Sequence, residues 1–236
     1  MPELLLIVII TWASGASALV GAFLACFESS RETERKQELL HGITAFGGGA
    51  LLAAVAFSLA PHAMKTLSLV SLSLTFLAGG LVFCVIDAFL AKRKGSIAQF
   101  LAMMMDYLPE AMSLGAVFSQ NRKMGWLLAG FIGLQNLPEG FNAFREMRSN
   151  HLAGKKILWA IFIATVFGPI AAWLGYTWLQ EQEVLTAAIM SFASGGILYL
   201  IFQDIAPQAV MRTHWMPPLG AVLGFMLGML GSALMG

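Results

Sequence analysis

The chain has 236 residues, of which 58% are hydrophobic and 11% charged, with a formal net charge of +1. Soluble domains carry about 25% charged residues, so this composition points to a membrane setting. No nucleic-acid partner is expected. The two cysteines, Cys26 and Cys84, are too few for a disulfide framework or a zinc cluster.

Apolar runs of bilayer length recur from end to end, and eight spans are predicted at about 4–27, 41–64, 68–91, 97–120, 124–146, 156–179, 185–208 and 214–235. Connections are short, so residues 1–236 are expected to form a single transmembrane domain. The first span lacks a basic leader and is read as a membrane helix. The segment Glu28 to Leu40, with Glu32 and Lys36 four apart, reads as a solvated helical extension. The loops at 28–40, 92–96, 145–156 and 209–213 carry eleven Lys and Arg; the opposite side has Lys65, Arg122 and Lys123. The positive-inside rule then places both termini outside the cytoplasm.

Two segment pairs repeat. Phe46-Gly47-Gly48-Gly49 leads to Ala60-Pro61-His62-Ala63, and Phe192-Ala193-Ser194-Gly195-Gly196 leads at the same distance to Ala206-Pro207-Gln208-Ala209. Span 4 contains Asp106-Tyr107-Leu108-Pro109-Glu110 and span 5 contains Gln135-Asn136-Leu137-Pro138-Glu139. Each pair joins spans of opposite direction, the pattern of an inverted repeat. The expected fold is all-α and polytopic, with spans 1–3 and 6–8 as inverted repeats around spans 4 and 5.

The central spans carry the chemistry. Asp106 and Glu110 are four apart and share one helix face, as do Gln135 and Glu139. Pro109 and Pro138 lack the amide hydrogens that would bond the carbonyls of Met105 and Leu134, so both helices are expected to be broken there. Carboxylates, amide oxygens and freed carbonyls form a hard, oxygen-rich cation site. No Lys or Arg lies at that depth, and unpaired carboxylates in hydrocarbon are costly. The expected metal ligands are Asp106, Glu110, Gln135, Asn136 and Glu139, with Asp204 at an exit or second site. Ser58 and His62 are expected along the path; self-bonding of Ser58 to its own helix is the plainer reading of that hydroxyl. Asp87 is read as an interfacial partner of the Lys92-Arg93-Lys94 loop. Gly220, Gly224 and Gly228 mark a face for close helix packing.

At these residues the chain resembles the ZIP (Zrt/Irt-like) family of divalent metal transporters. The resemblance rests on the eight spans, the two Pro-Glu steps, and Ala193-Ser194-Gly195-Gly196 followed by Asp204. It implies two inverted three-helix sets around spans 4 and 5, inward movement of zinc, iron or manganese as transported substrate, no cofactor, and a homodimer. The implied location is a plasma or bacterial inner membrane. The chain departs from the family pattern at informative places. Both signature histidines are replaced, by Asp106 and Gln135; Tyr107 stands for asparagine, and His62 for a glutamate after the span 2 proline. Imidazole suits zinc, whereas carboxylate and carbonyl oxygens suit manganese and other hard ions. The main expectation is a divalent cation carrier. The alternatives are a non-transporting sensor or interaction subunit, for which the missing histidines speak, and an intramembrane metal-dependent enzyme. The enzyme is disfavoured because no clustered histidines or nucleophile–base pair are present.

Overall fold

In hydrocarbon every backbone polar group must be satisfied within the protein, and the helix does this within one segment. The computed structural model describes residues 3–27, 33–92, 98–118, 121–211 and 214–235, and among them forms eight helical rods and no strand ladder. They are α1 (Glu3–Cys26), α2 (Glu34–Thr66), α3 (Leu69–Lys92), α4 (Ala98–Phe118), α5 (Arg122–Ser149), α6 (Gly154–Leu179), α7 (Glu183–Ala209) and α8 (Leu219–Met235). Five of them, α1, α2, α3, α6 and α7, are long and apolar enough to cross a membrane. The apolar stretch of α8 is shorter, and α4 and α5 carry the Pro-Glu steps. Only the second half of the segment predicted as a solvated extension can be followed: α2 starts at Glu34, where Thr33 accepts from the amide of Lys36 at 3.3 Å. The rest, and the basic residues Arg93 and Lys94, lie outside the described residues.

The rods sort into two groups. In one, α4 and α5 pack against each other, and α1 and α6 each pack on both neighbours. In the other, α2 packs on α8, α3 on α7, and α2 on α7. Contacts of α2 with α5 and of α4 with α7 join the groups.

Four helix pairs are joined by reciprocal glycines. A Cβ on Gly79 would lie 1.9 Å from the carbonyl oxygen of Phe192, and one on Gly195 1.9 Å from that of Phe76. The same exchange links Gly49 and Gly224 to Ala221 and Phe46, Gly21 and Gly140 to Leu137 and Ala18, and Gly115 and Gly175 to Ala172 and Met112. With no side chain between them, backbones approach closely, which is how helices associate where burial from water offers no drive. The predicted packing face on α8 is present: Gly220 meets Gly42, Gly224 meets Phe46, and Gly228 meets Ala53 and Phe131. This register makes α2 and α8 parallel. Gly79 with Phe192 and Phe83 with Gly196 make α3 and α7 parallel as well.

Three rods contain a π-helical turn, at Val55–Leu59 in α2, Gly175–Leu179 in α6 and Ile201–Ile205 in α7. In α2 the amide of Ala60 bonds the carbonyl of Val55, and in α7 that of Ala206 bonds Ile201. The turns of α2 and α7 directly precede the repeated Ala-Pro step. By contrast, α4 and α5 run unbroken through Pro109 and Pro138. The sequence predicts interruption there, but one missing donor does not end a helix that neighbouring helices support.

A buried polar site between α4 and α5

Asp106, Glu110, Gln135, Asn136 and Glu139 are all buried, at 2%, 0%, 0%, 2% and 6% exposure. The i,i+4 spacing puts Asp106 above Glu110 on α4 and Gln135 above Glu139 on α5, and packing of the two helices turns these faces together. Gln135 Nε2 donates to Glu110 Oε2 at 2.5 Å. The carboxyls of Asp106 and Glu139 face each other, and both lie within electrostatic reach of Glu110. Asp106 Oδ1 accepts from the amide of Tyr107 at 2.8 Å.

Several polar atoms in this region have no hydrogen-bond partner among the described residues. They are Glu110 Oε1, Gln135 Oε1, both carboxylate oxygens of Glu139, and Asn136 Nδ2. Four of these five atoms are oxygens, so the unmet capacity is for donors or a cation. Buried polar groups are normally paired, and each orphan costs about 1–3 kcal/mol, more when charged. The donor set suits a hard divalent ion. Among the described residues, no group of three or more His, Cys, Asp or Glu side chains is close enough to hold a metal ion by itself. A metal ion at this site would need amide oxygens as ligands as well as carboxylates.

The remaining candidates lie on α2 and α7. Ser58, within the π turn of α2, is fully buried with an unpartnered hydroxyl, so it does not make the self-bond that is its plainer reading. His62 is half-buried with Nε2 unpartnered, and Glu183 and Lys65 act on it electrostatically. Asp204, half-buried in the π turn of α7, has Asp87 and Glu146 as its charged neighbours rather than Asp106, Glu110 or Glu139. Asp87 accepts from the Tyr199 hydroxyl at 3.0 Å.

The sequence reading missed two features. Ser113, one turn from Glu110 on α4, is fully buried with an unpartnered hydroxyl. Its spacing of three from Glu110 is the signal that was available. The second is a polar cavity of about 550 Å³, lined among others by His41, Thr44, Asn142, Arg145, Glu146 and Gln208. Asn142 stands one turn beyond Glu139 and donates to the Thr44 hydroxyl at 3.2 Å. The cavity thus starts next to the buried site, and Glu146 ties it to Asp204.

Tyr107 stands where the pattern that this chain resembles has asparagine, and its hydroxyl reaches α1 and α6. Its hydroxyl donates to the carbonyls of Thr11 at 3.2 Å and Thr165 at 3.4 Å. It sits between Gly15 and Gly168, where any Cβ would overlap the ring. The ring therefore fastens α4 to α1 and α6.

A search of the curated proteins finds no match. A family model described as ZIP Zinc transporter matches residues 95–236, which contain both Pro-Glu helices and everything after them. The chain belongs to the ZIP zinc transporter family, an integral-membrane family that carries divalent metal ions.

Proposed function

We propose that this chain carries divalent cations into the cytoplasm through the buried site between α4 and α5. All eight rods would span the bilayer with both termini outside, as the distribution of Lys and Arg supports. Two relations support an inverted repeat of α1–α3 and α6–α8. The π turns of α2 and α7 precede equivalent Ala-Pro steps, and exchanging α1 with α6, α2 with α7, α3 with α8 and α4 with α5 reproduces the main helix contacts.

In this reading ions arrive past His62 and Ser58. They are held by Asp106, Glu110, Gln135, Asn136 and Glu139. They leave through the cavity beyond Asn142, with Asp204 and Glu146 beside the exit. Hard oxygens favour manganese or ferrous iron beside zinc. The observation that carries the proposal is the group of unpartnered buried oxygens on Glu110, Gln135 and Glu139. A cation supplies what those oxygens lack.

Metal uptake into proteoliposomes tests it. The parent is expected to accumulate manganese or zinc. An inserted, folded protein that binds these ions without moving them would point to a sensor or interaction subunit, and one that moves and binds neither would remove the cation site.

A further inference from the structure

We propose that the groove between α1 and α6 holds one anionic phospholipid, with an acyl chain along the groove and the phosphate on Lys155. The groove encloses about 510 Å³. Leu19, Val20 and Phe23 of α1 form one wall, and Leu158, Trp159 and Phe162 of α6 form the other. Lys155 is its one charged lining residue. Among the described residues Lys155 has no carboxylate partner.

The dimensions fit one leaflet. Lys155 and Phe162 are seven positions apart on α6, about 10 Å along the helix. Half the hydrocarbon core is about 15 Å thick. The lysine therefore stands at headgroup level while Phe162 reaches well into the acyl region. Trp159, 64% exposed, makes an edge-to-face contact with Phe162 at 5.5 Å, so the α6 wall is aromatic and stiff. Tryptophan at this level suits the membrane interface.

The charge selects the occupant. A zwitterionic lipid carries its own ammonium group beside the phosphate, which competes with Lys155; an anionic lipid leaves the phosphate for the lysine. A second copy of this chain on a two-fold axis would bring the same groove against itself. Among the described residues the two helices offer no carboxylate to meet the two lysines: α6 has none, and α1 has only Glu3 at its opposite end. The inference requires only a membrane setting and does not depend on the transport reading.

The test is native mass spectrometry of the purified full-length chain, with equimolar phosphatidylglycerol and phosphatidylcholine of identical acyl chains. The parent is expected to retain one phosphatidylglycerol with a preference of about fivefold, the scale of one lysine at an anionic surface. Lys155→Ala should bring the preference to about one, while Lys156→Ala and Lys65→Ala, outside the groove, should keep it. Val20→Trp should fill the groove and lower retention of both lipids; Val20 is 52% exposed, so the fold tolerates the change. Equal retention of the two lipids by the parent, or an unchanged preference in Lys155→Ala, overturns the proposal. So does a lipid-free dimer that Val20→Trp dissociates, which would make the groove a contact between copies.

Discussion

The amide of Gln135 holds one oxygen of Glu110 at 2.5 Å and leaves the other without a partner. The donor comes from α5 and the acceptor from α4, so one hydrogen bond fixes the two halves of the site relative to each other. Gln135 Oε1 is itself unpartnered. A single glutamine thus orients a carboxylate and also offers an oxygen of its own to the same space.

The first prediction follows from that pair and its neighbour Glu139. Glu110→Ala and Glu139→Ala should each abolish uptake in an inserted protein. Gln135→Ala should lower uptake at least about tenfold, because it removes a ligand oxygen and frees Glu110 to turn; loss of one charge-assisted hydrogen bond is worth about 1.5–3 kcal/mol. Proteoliposome uptake normalised to inserted protein checks all three. Near-normal transport in both glutamate variants would eliminate the site between α4 and α5.

The second prediction concerns helix packing. A side chain at Gly79 or Gly195 would drive its Cβ to 1.9 Å from a facing carbonyl oxygen. Gly195→Val should therefore separate α3 from α7 and destabilise the fold by several kcal/mol, on the scale of about 1–3 kcal/mol or more for overpacking. At Gly130 nothing lies within 4 Å of the added atom. Gly130→Ala should leave stability unchanged or raise it by about 0.5–1 kcal/mol, the usual helix advantage of alanine. Thermal aggregation midpoints in detergent measure both, and equal midpoints for Gly195→Val and the parent would contradict the packing described.

Much of this was readable beforehand, and the reasons are specific. Apolar runs of bilayer length reveal helices because lipid leaves the backbone few other choices. Asp106, Glu110, Gln135 and Glu139 stood out because charge and amide are rare in such runs. Helical spacing then put them on shared faces. The π turns were not legible: they depend on which carbonyl an amide finds, and Ala60-Pro61 marks only where the ordinary ladder fails. Proline was weighed too heavily at Pro109 and Pro138, where packing keeps the helix whole. Asp204 stands out in the sequence because it lies three residues before Pro207. Its surroundings, Asp87 and Glu146, come from α3 and α5, and no local pattern reports such a meeting.

Tyr107 gives the third prediction. Its hydroxyl joins α1 and α6 to α4, while the ring fills the gap between two glycines. Tyr107→Phe should cost about 1 kcal/mol, one hydrogen bond, and leave ion selectivity unchanged. Tyr107→Ala should cost about 3–5 kcal/mol by leaving a cavity. A changed manganese-to-zinc ratio in Tyr107→Phe would show that the hydroxyl reaches the ion after all.

The fourth prediction is topological. If both termini lie outside, as proposed, a cysteine beside Arg122 should react with an impermeant thiol reagent added to intact cells, and one beside Lys155 should not. Cys26 and Cys84 are replaced first, since both are exposed at the protein surface. External labelling beside Lys155 would reverse the orientation, and inward transport would then become export.

The last prediction concerns selectivity. Where the family pattern has histidines, this chain offers Asp106 and Gln135, so the buried site contains carboxylate and amide oxygens and no imidazole. Hard oxygens reduce the advantage that nitrogen gives to zinc. They do not reverse it, because zinc still binds most nitrogen and oxygen sites more tightly than manganese. Tight binding also slows release, so a carrier can move the weaker ligand faster. The parent is therefore expected to transport several divalent ions with weak discrimination for zinc. The double change Asp106→His and Gln135→His supplies two imidazoles but removes the donor to Glu110 Oε2 unless the new ring restores it. It should raise zinc affinity at the expense of manganese, with slower zinc turnover as the accompanying sign. Competition uptake with both metals in parent and double variant measures this. A parent already strictly selective for zinc would place the selectivity determinants outside these two helices.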